Sequence, residues 1–240
     1  MKPDNAIVSD SRVYLIPVQL AEGVTETIPA YVLDAVKKCE VFFVENIRSA
    51  RRFLKSIWKE MVIDDYEFIA IHKAENKVIS NFSNCIKNNK IIGILSEAGC
   101  PGIADPGQIL IAKAQALGVK VVPLVGPSSI LLSLMASGLN GQSFRFHGYL
   151  PIDSNARKRA LSAMETDIVK SSEAQIFIET PYRNNQLIAD ILVSVKDHIK
   201  LCIAANITDA SESIITRTVG EWKKREYNYH KQTVIMLLGN

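Results

Sequence analysis

From residue 12 to residue 137 the chain alternates short β-branched runs with longer helix-compatible stretches, and this alternation restricts the fold more than any other feature. A strand that returns to its sheet through a helix runs parallel to the one before it, so the pattern requires a parallel sheet covered by helices. The predicted strands are Arg12–Val18, Glu40–Val44, Tyr66–Ile71, Lys90–Leu95 and Val119–Leu124. Pro29 suits a helix N-terminus, and Pro106 and Pro127 can each open a helix in its first turn. After the fifth strand, GPSS leads into the apolar helix ILLSLMASGL. FRFHGYLP, AQIFIE, KLCIAAN, SIITRTVG and TVIMLL then read as strands, separated by helices at Ser154–Glu165 and Arg183–Val195.

A length of 240 residues suits two compact units. The boundary is placed near Val125: residues 1–125 form an N-terminal α/β domain with a parallel sheet, and 126–240 a C-terminal mixed α/β domain. No apolar run approaches the ~20 residues of a membrane helix, and Met1–Asp10 is polar, so a cytoplasmic protein is expected. Cys39, Cys85, Cys100 and Cys202 are dispersed, as are His72, His147, His198 and His230. Neither set has the spacing of a disulfide framework or a metal site, so reduced thiols and no metal are expected. A net charge of +3 is too small to mark a dedicated nucleic-acid domain, so any site for a polyanion must be a local patch.

Two loops stand out at strand carboxyl ends, where open parallel sheets bind ligands. Residues 99–107 hold three glycines and two prolines, and Val125-Gly126-Pro127-Ser128-Ser129 brings two hydroxyls to a helix start. Each has a plain reading, a crossover turn or a pair of caps. Neither a GxxxxGK[ST] loop nor a GxGxxG fingerprint occurs, which argues against kinases and dehydrogenases.

Taken in order, Pro17, AGCPGIADPG at 98–107, VGPSS at 125–129, FRFHGYLP at 144–151, ETPYR at 179–183 and VGEW at 219–222 resemble the tetrapyrrole (corrin/porphyrin) methylase superfamily. Within it they are most similar to the branch that methylates a ribose 2′-hydroxyl of small-subunit ribosomal RNA, and the likeness spans about Tyr14 to Leu238. The resemblance implies a two-domain tetrapyrrole-methylase-like fold, S-adenosylmethionine bound in a cleft between the domains, a homodimer, and ribosomal RNA or the small ribosomal subunit as partner. Carried over by position, it implies that Pro17, Gly99, Cys100, Ile103, Ala104, Ser128, Ser129, Ile178 and Ala205 bind the cofactor. Three segments depart from the branch. Its first loop reads roughly PTPIGNL, against Pro17–Gly23 here; its EDTR is Glu45–Arg48; and its RELTK is Ala205–Asp209.

Methyl transfer from a sulfonium is an in-line displacement, so catalysis is mostly positioning. A ribose hydroxyl is a weak nucleophile, and a carboxylate accepting its proton adds about 100- to 10,000-fold. Glu45 and Glu179, at the ends of apolar strands, are the candidates. The competing reading makes them structural ion pairs, Glu45 with Arg48 and Glu179 with Arg183. Arg48, Arg157 and Arg183 are the candidate substrate contacts, with Arg51, Arg52, Lys158 and Arg159 beside them, although a solvated helix face explains such clusters equally well. His72 and His147 are read as structural. Two other readings stand at this point: a methyltransferase acting on a tetrapyrrole or other small metabolite, and a non-catalytic S-adenosylmethionine-binding protein.

Overall fold

A computed structural model describes residues 11–71 and 75–240, so His72 lies outside the described residues. The chain divides into two compact units, Met1–Pro127 and Ser128–Asn240.

In the first unit, β1 (Arg12–Leu15), β2 (Val41–Val44), β3 (Glu67–Ala70), β4 (Ile91–Leu95) and β5 (Lys120–Pro123) form an all-parallel sheet in the order β3-β2-β4-β1-β5, as the alternation predicts. Period-two alternation splits the apolar residues between its two faces. Tyr14, Phe42 and Val44 pack with α1 (Tyr31–Val36) and α2 (Ile47–Ile57). Val13, Val41, Phe43, Ile92 and Ile94 pack with α3 (Glu75–Lys87) and α4 (Gln108–Ala116). The helix after β1 therefore covers one face and the helix after β4 the other, although β1 and β4 are neighbours. Such a reversal opens a crevice beyond the strands' carboxyl ends.

Pro106 and Pro127 do not open helices in their first turns. Gly107 is the N-cap of α4 and Ser128 that of α5 (Ser129–Ser137), which leaves each proline one residue outside. Pro127 is occupied in its loop, where its carbonyl accepts the Cys100 thiol at 3.4 Å.

Gly93 sits in mid-strand between Ile16 and Phe42, where an added Cβ would lie 2.7 Å from a carbon of each. Both neighbours are fully buried, so Gly93→Ala should cost about 1–3 kcal/mol from overpacking. A denaturant midpoint equal to that of the parent would refute this.

In the second unit, β6 (Phe144–Tyr149), β7 (Ala174–Ile178), β8 (Lys200–Ala205), β9 (Ser213–Thr218) and β10 (Val234–Gly239) make a mixed sheet in the order β6-β7-β10-β8-β9. Only β6 and β7 pair in parallel; β10 and β9 pair antiparallel to their neighbours. One face is covered by α6 (Ser154–Ser171) and α7 (Asn184–Ser194). The apolar α5 lies against β8, β9 and β10, and Thr216 Oγ1 donates to the Ser137 carbonyl at 2.7 Å. Helix α6 runs past the expected end at Glu165. Leu161, Met164, Glu165 and Ile168 keep one buried stripe at helical spacing until Ser172 turns left-handed at φ +54°. Asp153 caps its start by accepting from the Ala156 N–H.

Candidate active site

The order β2-β4-β1-β5 sets four loops side by side along the carboxyl edge of the first sheet. The loops after β1 and β4 are joined by an antiparallel bridge, with Val18 N–H donating to Gly99 O at 2.8 Å and Gly99 N–H to Val18 O at 2.9 Å. Gly126 lies against the Pro17 ring so closely that any Cβ there would overlap it. Cys100 closes the set by donating to the Pro127 carbonyl; burial pushes its thiol above the usual range and so keeps the donor proton in place. Tyr31 Oη accepts the Val125 N–H at 2.6 Å and holds the third loop from the other side. Pro17, Gly99, Cys100 and the start of VGPSS are thus brought together in one small region.

The middle loop is wound around Asp105, a residue the sequence reading passed over. Its carboxylate accepts from Gly102 N–H and Gly107 N–H, both at 2.6 Å. Burial nevertheless raises this carboxyl above its ordinary range, with the backbone N–H groups of Gly107, Gly102 and Ile103 pulling it back. The wrapping turns Gly99, Gly102 and Ala104 left-handed, at φ +73°, +86° and +59°. For Ala104 that costs roughly 1 kcal/mol, strain that the surrounding bonds must hold. Ile103 is left 55% exposed at the tip. A carboxylate two or three residues from glycines was the available clue. Asp105→Ala would strand buried N–H groups, at about 1–3 kcal/mol each. The expected result is a lower unfolding temperature. A variant as stable as the parent would show that the loop holds its form without the carboxylate.

Glu45 follows β2 and stands beside this loop, its Oε2 accepting the Glu97 N–H at 2.9 Å. Burial raises its carboxyl above the usual carboxylate range; the Glu97 N–H lowers it in part, and the charges of Glu97 and Asp105 raise it again. The ion pair with Arg48 that the competing reading calls for is not among the salt bridges of the described residues. Asn46 instead caps α2, its Oδ1 accepting from Arg48 N–H at 2.9 Å and Ser49 N–H at 3.3 Å. Arg48 projects into solvent, Arg51 stacks 5.0 Å from the Phe68 ring, and Arg52 pairs with Glu22 of the first loop.

Within the second unit, Glu179, Arg183 and Arg157 meet around a hollow of about 220 Å³. The Glu179 carboxylate is almost fully buried and accepts from Thr180 N–H at 2.7 Å and from Arg183 at 2.5 Å, so the structural pairing is realised here. The placing of Arg157 as a substrate contact needs correction. Its side chain is 10% exposed, and its guanidinium binds Asp190 through two nitrogens and the carbonyls of Pro151 and Ile152 through the third. It clamps the segment before α6 to α7, while Lys158 and Arg159 face solvent.

Ser128 occupies the N-cap of α5, yet its hydroxyl makes no capping bond, and Ser129 is half-buried beside it. Ile178 and Ala205 end β7 and β8 and flank the start of β10, paired with Ile235 and Val234. His147 is bonded through Nε2 to the buried Gln175 at 2.6 Å, a structural role. Among the described residues no group of three His, Cys, Asp or Glu is placed to hold a metal ion, and no helix is long and apolar enough to cross a membrane.

No family model matches the chain. It is 30% identical over 246 residues to the ribosomal RNA small subunit methyltransferase I of Vibrio cholerae, an alignment covering 98% of this chain and 80% of that protein. Among solved structures, a diphthine synthase superposes with a TM-score of 0.68 at 12% identity, covering 95% and 89% of the two chains. A Thermus thermophilus uroporphyrin-III C-methyl transferase complexed with S-adenosyl homocysteine superposes with a TM-score of 0.57 at 14% identity, covering 95% and 97%. At those identities the structures speak for the fold.

Proposed function

Because the chain belongs to the ribosomal RNA small subunit methyltransferase I family, we propose that it transfers a methyl group from S-adenosylmethionine to a ribose 2′-hydroxyl of small-subunit ribosomal RNA. The observation that carries the reading is the convergence of the loops after β1, β4 and β5 at the carboxyl edge of the first sheet. Identity of 30% over nearly the whole chain favours RNA over a tetrapyrrole, because the tetrapyrrole methylase is matched in fold alone.

Two features of these loops fit the donor. Gly99, at φ +73°, holds a backbone conformation that side chains rarely adopt and places none between Leu20 and the Pro127 carbonyl. Gln19 Oε1, in the first loop, is buried with no hydrogen-bond partner, an acceptor suited to an ammonium or exocyclic amine. When bound, S-adenosylmethionine supplies an electrophilic methyl on a cationic sulfur. In the proposed arrangement Pro17, Gly99, Cys100, Ile103 and Ala104 hold it chiefly through backbone and apolar contacts. The carboxylates of Glu45, Glu97 and Asp105 give this edge a negative field that favours a sulfonium.

Glu45 takes the hydroxyl proton, since burial and neighbouring charge bring its carboxyl nearer the working pH. Glu179 is committed to Arg183 and holds that guanidinium in place, while Arg48 and Arg183 contact the RNA. The family reading also carries a homodimer working in the cytoplasm, which light scattering and fractionation test. The direct test of function is ribose-methylation mapping of ribosomal RNA from cells with and without the protein. Loss of one modified nucleotide is expected; an unchanged map overturns the proposal.

A further inference from the structure

The second unit carries another hollow, open and about 590 Å³, lined by β9, by Trp222, by the stretch from Arg225 to Tyr229 with Gln232, and by Asn206. Arg217, on β9, lies 5.9 Å from the centre of the Trp222 ring, and its Nε is buried with no acceptor in the protein. The indole is fixed in turn by donating to the Leu201 carbonyl at 2.9 Å. Arg225 and Asn228 stand exposed at the rim, and Tyr227 is half-buried beside them. At the end of β8, Asn206 and Thr208 are both left-handed, at φ +50° and +72°, and the buried Thr208 Oγ1 has no partner. A β-branched residue in that conformation is costly, and such strain collects at binding loops. Asn206 itself is tied to Thr233, Ser211 and Gln232, so the strained loop is braced.

An orphaned guanidinium N–H beside a second arginine calls for an anion. The Gln232 amide is tied to Asn206 and to the Asn228 carbonyl, and the Asn228 Oδ1 accepts from Asn185 and from the His230 N–H, which turns the Asn228 Nδ2 to the rim beside Tyr227; an aromatic ring and an amide donor suit a planar polar group. A nucleotide supplies both: phosphate for Arg217 and Arg225, and a base to lie against Tyr227 with its edge toward the Asn228 Nδ2. Glu221, whose carboxyl is lowered first by its bonds to Thr218 and then by Arg217 and Arg225, offsets part of the positive charge. Glu226 on the rim adds to this, which disfavours a bare run of phosphates and leaves room for one. The volume lies within the roughly 300–1,000 Å³ of small-molecule sites. We propose that this hollow holds one unstacked nucleotide of the substrate RNA. The inference rests on the RNA reading of the function and gives it a second anchoring point.

The test is filter binding of the full chain to small-subunit ribosomal RNA at fixed salt, run beside methyl transfer to small subunits. Arg225→Glu and Tyr227→Leu are each expected to weaken binding about tenfold. Lys224→Glu, an adjacent exposed position that does not line the hollow, should stay within about twofold. Equal losses at positions 224 and 225, no loss at either, or no RNA binding by the parent protein each overturn the proposal. If binding depends on Arg225 and Tyr227 but no methyl is transferred, the hollow stands and the activity reading falls. If transfer proceeds with the parent KM in Arg225→Glu, the activity stands and the hollow falls.

Discussion

Exchanging Glu45 for glutamine is expected to lower the methyl-transfer rate about 100- to 10,000-fold, with donor affinity within about threefold of the parent. The side chain keeps its shape and can still accept from the Glu97 N–H, so the loop should persist while the proton acceptor is lost. The pH profile gives a second reading. Burial raises this carboxyl, so the rate should rise with pH through a value above the ordinary carboxylate range, and the glutamine variant should lose that limb. The sign for stability is opposite. A group that binds its proton more tightly when folded contributes stability at pH below its unfolded value, and that contribution disappears as pH rises through the folded one. Glu45 and Asp105 share this direction, so the working charge state is the less stable one. A glutamine variant with the parent rate and profile would remove Glu45 from the chemistry.

The second large effect concerns stability. Arg157→Ala should cost about 3–5 kcal/mol, since it leaves Asp190 with the Gln186 amide but no cation in a site that is 17% exposed and frees two carbonyls before α6. Chemical denaturation of the second unit measures this. The affinity of the folded variant for small-subunit RNA should change much less than its stability. A variant as stable as the parent but deficient in RNA binding would restore Arg157 as a phosphate contact.

The strands were legible because each is a short apolar run set by local alternation, and the loops because glycine and proline mark turns. Strand order was not. That β4 lies between β2 and β1 depends on pairings some fifty to eighty residues apart, such as Val41 with Ile92 and Val13 with Ile92. Without that order Glu45 cannot be placed beside the loop of Gly99. Arg157 misled because ARKR looks alike whether it faces solvent or core; only the helical phase of α6 sends Arg157 inward and Lys158 and Arg159 outward. The hollow around Arg217 was hidden for a related reason, since it joins a strand to a loop whose residues have no motif of their own.

The bridge between Val18 and Gly99, with Gly126 seated on Pro17, fastens the loops after β1, β4 and β5 to one another through protein groups. A receptor already braced in this way loses little chain entropy on filling, so the free energy of its contacts is expressed as affinity and very little is consumed in ordering. On the proposed function, donor and demethylated product would meet the same preorganised outline, and what separates them is the methyl together with the positive charge on sulfur that is lost with it.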